Sequence, residues 1–290
     1  MKRIKLLAVL LVGVILLSGC SLFKVDTMDD INIITTNYAL EFVSKYLYGE
    51  HSLIKSMYPD GSNVNEYEIS EKTLDNYSKE DLFIYLGYGK DKDIAVKLIN
   101  KKNGLLIIDG SHGMSPDYLE ELWLYPPNLI MVAQNIKIGL SQYINSSYII
   151  KEVEENYEEL ALKLSELDAE YKLTCENASS KTIVSSTKHL NYLKKYGFNV
   201  ISLDDDNTAI EKTIVEVNDM IEAGKITYIY NLENTNLTKN AQDILDNNKK
   251  VTEIKLKKLD SITSDDRNNN DDYFSLMTYN LDQIKKETYK

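Results

Sequence analysis

A long run without glycine or proline in the middle of the chain constrains the fold most. Residues 148–174 are rich in glutamate, leucine and lysine, a composition that favours one uninterrupted helix. At 1.5 Å per residue this helix would be roughly 40 Å long, the span of a whole domain. We therefore expect it to join two separate halves of the 290-residue chain.

Both halves alternate short apolar runs with amphipathic stretches. The apolar runs are 31–36, 53–57, 82–86 and 105–108 in the first half, and 182–185, 200–203, 226–230 and 251–256 in the second. Strand and helix patterns that alternate in this way indicate βαβ units. The predicted fold class is α/β, with two similar lobes of mainly parallel sheet joined by one long helix. Ligand sites of such folds lie at the carboxyl ends of strands and at domain junctions, so we expect a site in the cleft.

The first twenty residues are typical of an export signal. A cationic start, residues 1–5, precedes the apolar run 6–17, which is short for a membrane-spanning helix. The run ends in Leu17-Ser18-Gly19-Cys20, which resembles the bacterial lipobox. We predict that Cys20 carries a lipid that anchors the protein to the extracytoplasmic face of a bacterial membrane. An ordinary signal peptide with an incidental cysteine is the alternative.

These patterns divide the chain into five parts. The predicted parts are a signal peptide at 1–19, a lipid-anchored tether at 20–30, an N-terminal lobe at 31–145, a linking helix at 146–177 and a C-terminal lobe at 178–290.

Charge and motifs exclude several functions. The chain has 33 lysine and arginine residues against 45 aspartate and glutamate residues, a net charge of −12. Such a surface repels phosphate backbones, which excludes nucleic acid as a partner. The sequence has no Walker loop, G-x-S-x-G elbow, dinucleotide fingerprint or H-E-x-x-H motif, so we predict that the protein is not an enzyme.

Several segments together resemble a known family. They are Tyr58-Pro59-Asp60-Gly61-Ser62-Asn63-Val64-Asn65-Glu66-Tyr67-Glu68, Trp123-Leu124-Tyr125-Pro126-Pro127-Asn128 and Leu259-Asp260-Ser261-Ile262. In order and content they resemble the zinc and manganese solute-binding lipoproteins of ABC transporters, over nearly the whole mature chain. The resemblance implies a lipid-anchored monomer that captures a divalent cation in the cleft and delivers it to a membrane permease.

The family's four metal ligands correspond to positions that are mostly substituted here. They fall on Asn65, Glu121, Thr187 and Asp260, of which only Asp260 keeps a family ligand. An amide, a hydroxyl and two carboxylates form an all-oxygen set, which suits harder cations than zinc. One divalent cation, zinc or manganese, is the cargo that the resemblance implies. Loss of metal binding, with another solute, a protein partner or surface adhesion in its place, is the alternative.

Three further features bear on the site. His189 lies two positions beyond Thr187 and could replace a missing ligand, although a histidine at a helix start is expected to face solvent. His112 lies where zinc members of the family often carry a histidine-rich loop. The acidic run 265–272 lacks the central glycine and terminal glutamate of an EF-hand, so we expect a solvated loop there.

Overall fold

A computed structural model describes residues 28–204 and 210–290. The predicted signal peptide, Cys20 and most of the predicted tether lie outside these ranges. Among the helices that the structure does describe, none combines the length and the apolar character needed to cross a membrane.

Four parallel strands form the sheet of the N-terminal lobe, in the order β2-β1-β3-β4. The strands are β1 (Ile31–Thr35), β2 (Ser52–Ser56), β3 (Leu82–Tyr85) and β4 (Leu106–Asp109). The helices are α1 (Tyr38–Tyr48), α2 (Glu71–Tyr77), α3 (Gly89–Lys101), α4 (Glu121–Leu124) and α5 (Pro126–Tyr143). Parallel neighbours require crossover connections, and helices supply most of them here.

The C-terminal lobe repeats this plan with a second parallel sheet, ordered β6-β5-β7-β8. Its strands are β5 (Thr182–Ser185), β6 (Asn199–Ser202), β7 (Tyr228–Leu232) and β8 (Thr252–Leu256). A 3₁₀ helix (Lys188–Tyr196) follows β5, and Gly197 ends it in the left-handed region with φ 99°. The later helices are α7 (Ile210–Glu222), α8 (Lys239–Asn247), α9 (Ser264–Asn268) and α10 (Tyr273–Thr288).

One helix, α6 (Ser147–Glu176), connects the two lobes. Its 30 residues correspond to about 45 Å, and the Ser146 side chain caps its first turn by accepting from the Ile149 N–H. The first half contacts the N-terminal lobe, where the Asn156 amide donates to the Leu47 carbonyl at 3.2 Å. The second half contacts the C-terminal lobe, where the Tyr171 hydroxyl donates to the Met277 carbonyl at 2.9 Å. The predicted fold class, two parallel α/β lobes joined by a long helix, is confirmed.

A single apolar core runs through both lobes along α6. It contains Ile33 and Leu82 of the first sheet, Ile183 of the second, and Leu160 and Leu164 of the helix. Successive residues of a strand point to opposite faces, so the neighbours of these strand residues form an outer apolar layer on each sheet. The lobes therefore share one hydrophobic layer, with a separate layer on the far side of each sheet.

The structure corrects one local prediction. The acidic run 265–272 is not simply a solvated loop, because residues 265–268 belong to α9, whose first turn is capped by the Thr263 side chain accepting from the Asp266 N–H. The end of the run, Asp272, caps α10 by accepting from the Ser275 N–H. Its acidic side chains near two helix starts complement the helix dipoles there.

Removal of a side chain from the shared core tests how far both lobes depend on α6. Leu164 is fully buried, whereas Leu162 on the same helix is 61% exposed. We expect Leu164→Ala to lower the free energy of unfolding by about 2–5 kcal/mol because it opens a cavity in the core. The matched Leu162→Ala variant should change it by about 0.5 kcal/mol or less. Equal losses in urea denaturation would contradict this placement of α6.

A histidine near the start of the chain makes stability depend on pH. The His51 ring contacts Asp29 at 2.9 Å and Glu152 of α6 at 3.3 Å. Burial by itself lowers the pKa of His51, but the two carboxylates raise it overall above its usual value. The contribution of His51 to the free energy of unfolding is therefore complete below about pH 6.5, the pKa of histidine in an unfolded chain. It is lost as the pH rises through the higher pKa of His51 in the folded protein.

We accordingly expect wild type to exceed His51→Gln in stability at pH 5.5, and the difference to shrink toward pH 8. Urea denaturation of both proteins across this range measures it. A difference that is constant with pH would show that the pKa of His51 is the same in the folded and unfolded states, which contradicts the pairing.

Candidate metal centre

The candidate site lies where the carboxyl ends of the strands meet. All four residues that the family resemblance marks as ligands follow a strand directly or through a loop: Asn65 follows β2, Glu121 follows β4, Thr187 follows β5 and Asp260 follows β8. In both sheets the strand order reverses between the two central strands, the usual place for a ligand in open α/β folds.

Asp260 lies on a turn that both lobes hold. The Trp123 indole N–H donates to the Lys258 carbonyl at 2.8 Å, and the Tyr38 N–H donates to the Asp260 carbonyl at 3.1 Å. Between these two carbonyls, Leu259 has φ 61°, in the left-handed region that costs a branched residue about 1–2 kcal/mol. Such strain persists where surrounding contacts determine the backbone, so this turn is a fixed feature of the cleft.

The Asp260 carboxylate forms an ion pair with a buried lysine. Lys258 Nζ lies 2.7 Å from Asp260 Oδ2, and the two side chains are only 3% and 5% exposed. Burial raises the pKa of Asp260, the lysine opposes this effect, and the nearby Glu120 carboxylate adds to it. Lysine is rarely so buried without a partner, so the pair is an integral part of this site.

A second pair lies beside the first. Glu120 Oε2 lies 2.9 Å from His189 Nδ1, and the Glu120 side chain is only 8% exposed. Burial by itself raises the pKa of Glu120, but His189, with a contribution from Lys258, lowers it overall. We call Glu120, His189, Lys258 and Asp260 the cleft cluster. The prediction that His189 faces solvent is wrong, because its ring is turned toward Glu120, whereas His112 is exposed.

The adjacent acidic residue, Glu121, has a different partner. Its Oε2 lies 3.0 Å from Lys195 Nζ, and its side chain is 2% exposed. The Lys195 ammonium also lies over the Tyr125 ring, 5.2 Å from the centroid, in a cation–π contact. The Asn128 amide donates to the Glu121 carbonyl at 3.0 Å and fixes the backbone. The side chains of Glu120 and Glu121 therefore diverge to separate cations.

The remaining two positions contribute less. Thr187 is half-buried at the start of the 3₁₀ helix, and its carbonyl accepts from the Ser185 hydroxyl at 2.5 Å. Asn65 is exposed, and its carbonyl accepts from the Lys90 ammonium. Across residues 28–204 and 210–290, no hydrogen bond or ion pair joins any two of the four predicted ligands, and no three His, Cys, Asp or Glu side chains are grouped to hold a metal.

The residues fit a divalent cation by donor chemistry but not by their present arrangement. Carboxylate oxygens are suitable ligands, yet Glu120, Glu121 and Asp260 are each paired with a lysine or a histidine. Two unit charges about 4 Å apart interact by about 4 kcal/mol at an effective dielectric constant of roughly 20, so the ammonium would repel a divalent ion by about 8 kcal/mol. The Lys258 ammonium therefore opposes a metal at Asp260.

Sequence reasoning missed Glu120, Lys195 and Lys258. Glu120 had a signal, since it forms an acidic pair with Glu121 just before a strongly apolar segment. Lys258 also had one, because it is a cation two positions before the retained Asp260, close enough in the chain for the two side chains to pair. Lys195 had none, since its contact with Glu121 depends on how the lobes meet.

A separate group of contacts closes the cleft near Asp260. Arg267 of α9 donates to Glu41 of α1 at 3.0 Å and to Asp60 at 2.8 Å, and so links the two lobes. The Gly61 N–H donates to the Ile262 carbonyl at 2.7 Å across the same boundary. We call these contacts the interlobe clamp. They hold the Asp260 turn against the N-terminal lobe.

Comparison with known proteins places this geometry in context. The profile of the family described as zinc-uptake complex component A, periplasmic (ZnuA), matches residues 33–287. The zinc-binding lipoprotein AdcA of Streptococcus pneumoniae R6 is 25% identical to this chain. The matched region covers 96% of this chain but only 61% of the length of AdcA. The manganese ABC transporter substrate-binding lipoprotein PsaA of Streptococcus mitis is 27% identical over 98% of both chains.

A solved structure agrees with the fold. The Zn(II)-bound ZnuA-like domain of Streptococcus pneumoniae AdcA superimposes with a TM-score of 0.72, at 24% identity, over 90% of this chain and all of that domain. At this identity the likeness concerns the fold alone.

Removal of the arginine tests the interlobe clamp. We expect Arg267→Gln to lower the free energy of unfolding by about 1–3 kcal/mol, because buried Glu41 loses a charged donor. It should also speed hydrogen exchange of the Gly61 amide, whose bond crosses the lobe boundary. Lys45→Gln is the matched control, since Lys45 pairs with the same Glu41 at 2.6 Å within one lobe. Equal Gly61 exchange in the two variants would mean that Arg267 does not hold the lobes together.

Proposed function

Because the chain belongs to the zinc-uptake complex component A (ZnuA) family, we propose that it is the solute-binding lipoprotein of a zinc- or manganese-type ABC transporter. The cleft captures one divalent cation, which the protein delivers to a permease in the membrane. The observation that carries this proposal is Asp260, the one family ligand that the chain retains, on a turn after β8 that contacts both lobes.

The names of relatives support the class of cargo. AdcA is named for zinc and PsaA for manganese, and both names include the word lipoprotein. The oxygen donors Glu121 and Asp260 favour manganese over zinc, because zinc prefers imidazole and thiolate ligands. His189 supplies the nearest imidazole, which Glu120 now holds.

The same proposal covers location and partners. Cys20 bears the lipid that anchors the protein to the extracytoplasmic face of a bacterial membrane, where the permease is its partner. The two lobes and their shared core form a complete unit in one chain, which supports a monomer. Nucleic acid is excluded as a partner by the net charge of −12.

Binding and release, rather than catalysis, is the proposed activity. The partners of Glu120, Glu121 and Asp260 are a histidine and two lysines, which are not hydroxyl or thiol nucleophiles that these carboxylates could activate. Cys175 is buried away from this site, and burial raises the pKa of its thiol, which opposes reactivity.

Calorimetric titration with manganese and zinc tests the proposal. The full chain, purified in detergent and stripped with a chelator, should bind at least one of these ions. Asp260→Asn and Glu121→Gln should each weaken that binding tenfold or more, about 1.4 kcal/mol, because each removes a charged ligand. The control is Asp282→Asn, whose carboxylate is 60% exposed and pairs with Lys285 on α10. Unchanged affinity in both cleft variants would place the metal elsewhere.

A further inference from the structure

We infer that Lys258 is a built-in competitor of the cargo cation, whose ammonium occupies Asp260 until a divalent ion displaces it. This inference rests on the proposed function, because it concerns the same cleft. It assigns an affinity-setting role to a residue that is not among the four family-equivalent ligand positions.

The first step of the argument is the position of the ammonium. Lys258 Nζ lies 2.7 Å from Asp260 Oδ2, and its side chain is 3% exposed. A metal ion would lie about 2.0–2.2 Å from the same oxygen. If both used this oxygen, the two cations would lie only about 4 Å apart, and their repulsion in this buried site opposes simultaneous binding.

The second step is the charge of the site. The two carboxylates of Glu120 and Asp260 together with the Lys258 ammonium carry a formal charge of −1. Without the ammonium they would carry −2, which matches the charge of a divalent ion. Lys258 affects both carboxylates, since it favours the charged form of each one.

The third step is the rigidity of the backbone around the lysine. The Lys258 carbonyl accepts from Trp123, and the preceding residue, Lys257, exchanges two hydrogen bonds with the Asn280 amide, at 2.6 and 2.9 Å. The turn therefore stays in place when the Lys258 side chain changes. Because that side chain is almost fully buried, the ammonium can leave Asp260 for solvent only if the cleft around it opens.

The test replaces the cation with a neutral side chain of similar length. The affinities of Mn²⁺ alone and Zn²⁺ alone are measured by calorimetry on the full chain in detergent, for wild type and for Lys258→Met. We expect Lys258→Met to bind at least one ion tenfold or more tightly than wild type. Lys258→Arg keeps the charge and should show no gain.

Lys257→Met is the matched control. It removes the same charge from the neighbouring residue, whose ammonium pairs with Glu233 and Asp266, both at 3.0 Å, outside the cleft cluster. A gain that is equal in both methionine variants would reflect net charge alone and would overturn the inference.

The outcomes separate the inference from the proposed function. Binding by wild type with a tighter Lys258→Met supports both, whereas equal or weaker binding by the variant overturns only the inference. Binding by the variant alone overturns displacement of the ammonium in the natural chain, and with it metal capture by that chain. Absence of binding in both proteins overturns both.

A second variant and a second measurement keep the test valid if Lys258→Met does not fold. Lys258→Met leaves Asp260 buried without a cation, which lowers stability. Lys258→Gln keeps a hydrogen-bond donor and should show the same gain in affinity. In thermal unfolding, Mn²⁺ should raise the Tm of either neutral variant more than that of wild type, because the ion binds the folded state more tightly. Equal rises in Tm would contradict the competition.

Discussion

The apolar face of α6 is the constraint on which the rest of the structure depends. Leu160 and Leu164 lie in the same buried layer as Ile33 of one sheet and Ile183 of the other. Because this layer is continuous, one lobe cannot turn far about α6 without separating apolar surfaces, at about 25 cal/mol per Å² exposed. Lobe motion is therefore restricted to small displacements at the cleft, and what occurs there depends on a few polar side chains.

Those polar side chains are arranged so that charge holds the cleft closed. Arg267 forms ion pairs with Glu41 and Asp60 across the boundary between the lobes. Beneath it, Lys258 forms an ion pair with Asp260. The strained Leu259 backbone keeps the intervening turn in one conformation. Each contact crosses or borders the junction at the strand ends. In this arrangement, lysine and arginine neutralise part of the carboxylate charge that a cargo ion would otherwise neutralise.

The sequence predicted the fold more completely than the site. Strand periodicity and the uninterrupted run 148–174 depend on local pattern, which survives in a single sequence. The site depends on contacts between residues far apart in the chain, such as Glu121 with Lys195. Local pattern could not show which of Glu120 and Glu121 faces His189, because both lie just before or at the start of a short helix. The acidic run 265–272 misled for a related reason, since its helix caps are set by individual side chains.

Because Asp260 is already paired with a lysine, the measured affinity for a cargo ion includes the free energy of breaking that pair. A ligand shifts a two-state equilibrium only by the difference between its affinities for the two states. Here the ion-free state is already stabilised by Lys258 on Asp260, so the free energy available for capture is the ion's interaction with the site minus that of the ammonium. A buried internal cation therefore lowers the affinity for every ion by the same factor, and weakly coordinating ions are the first to fall below the affinity that capture requires. The ratio of affinities between two ions is still set by the ligands, whereas the ammonium sets the threshold that an ion must exceed to displace it.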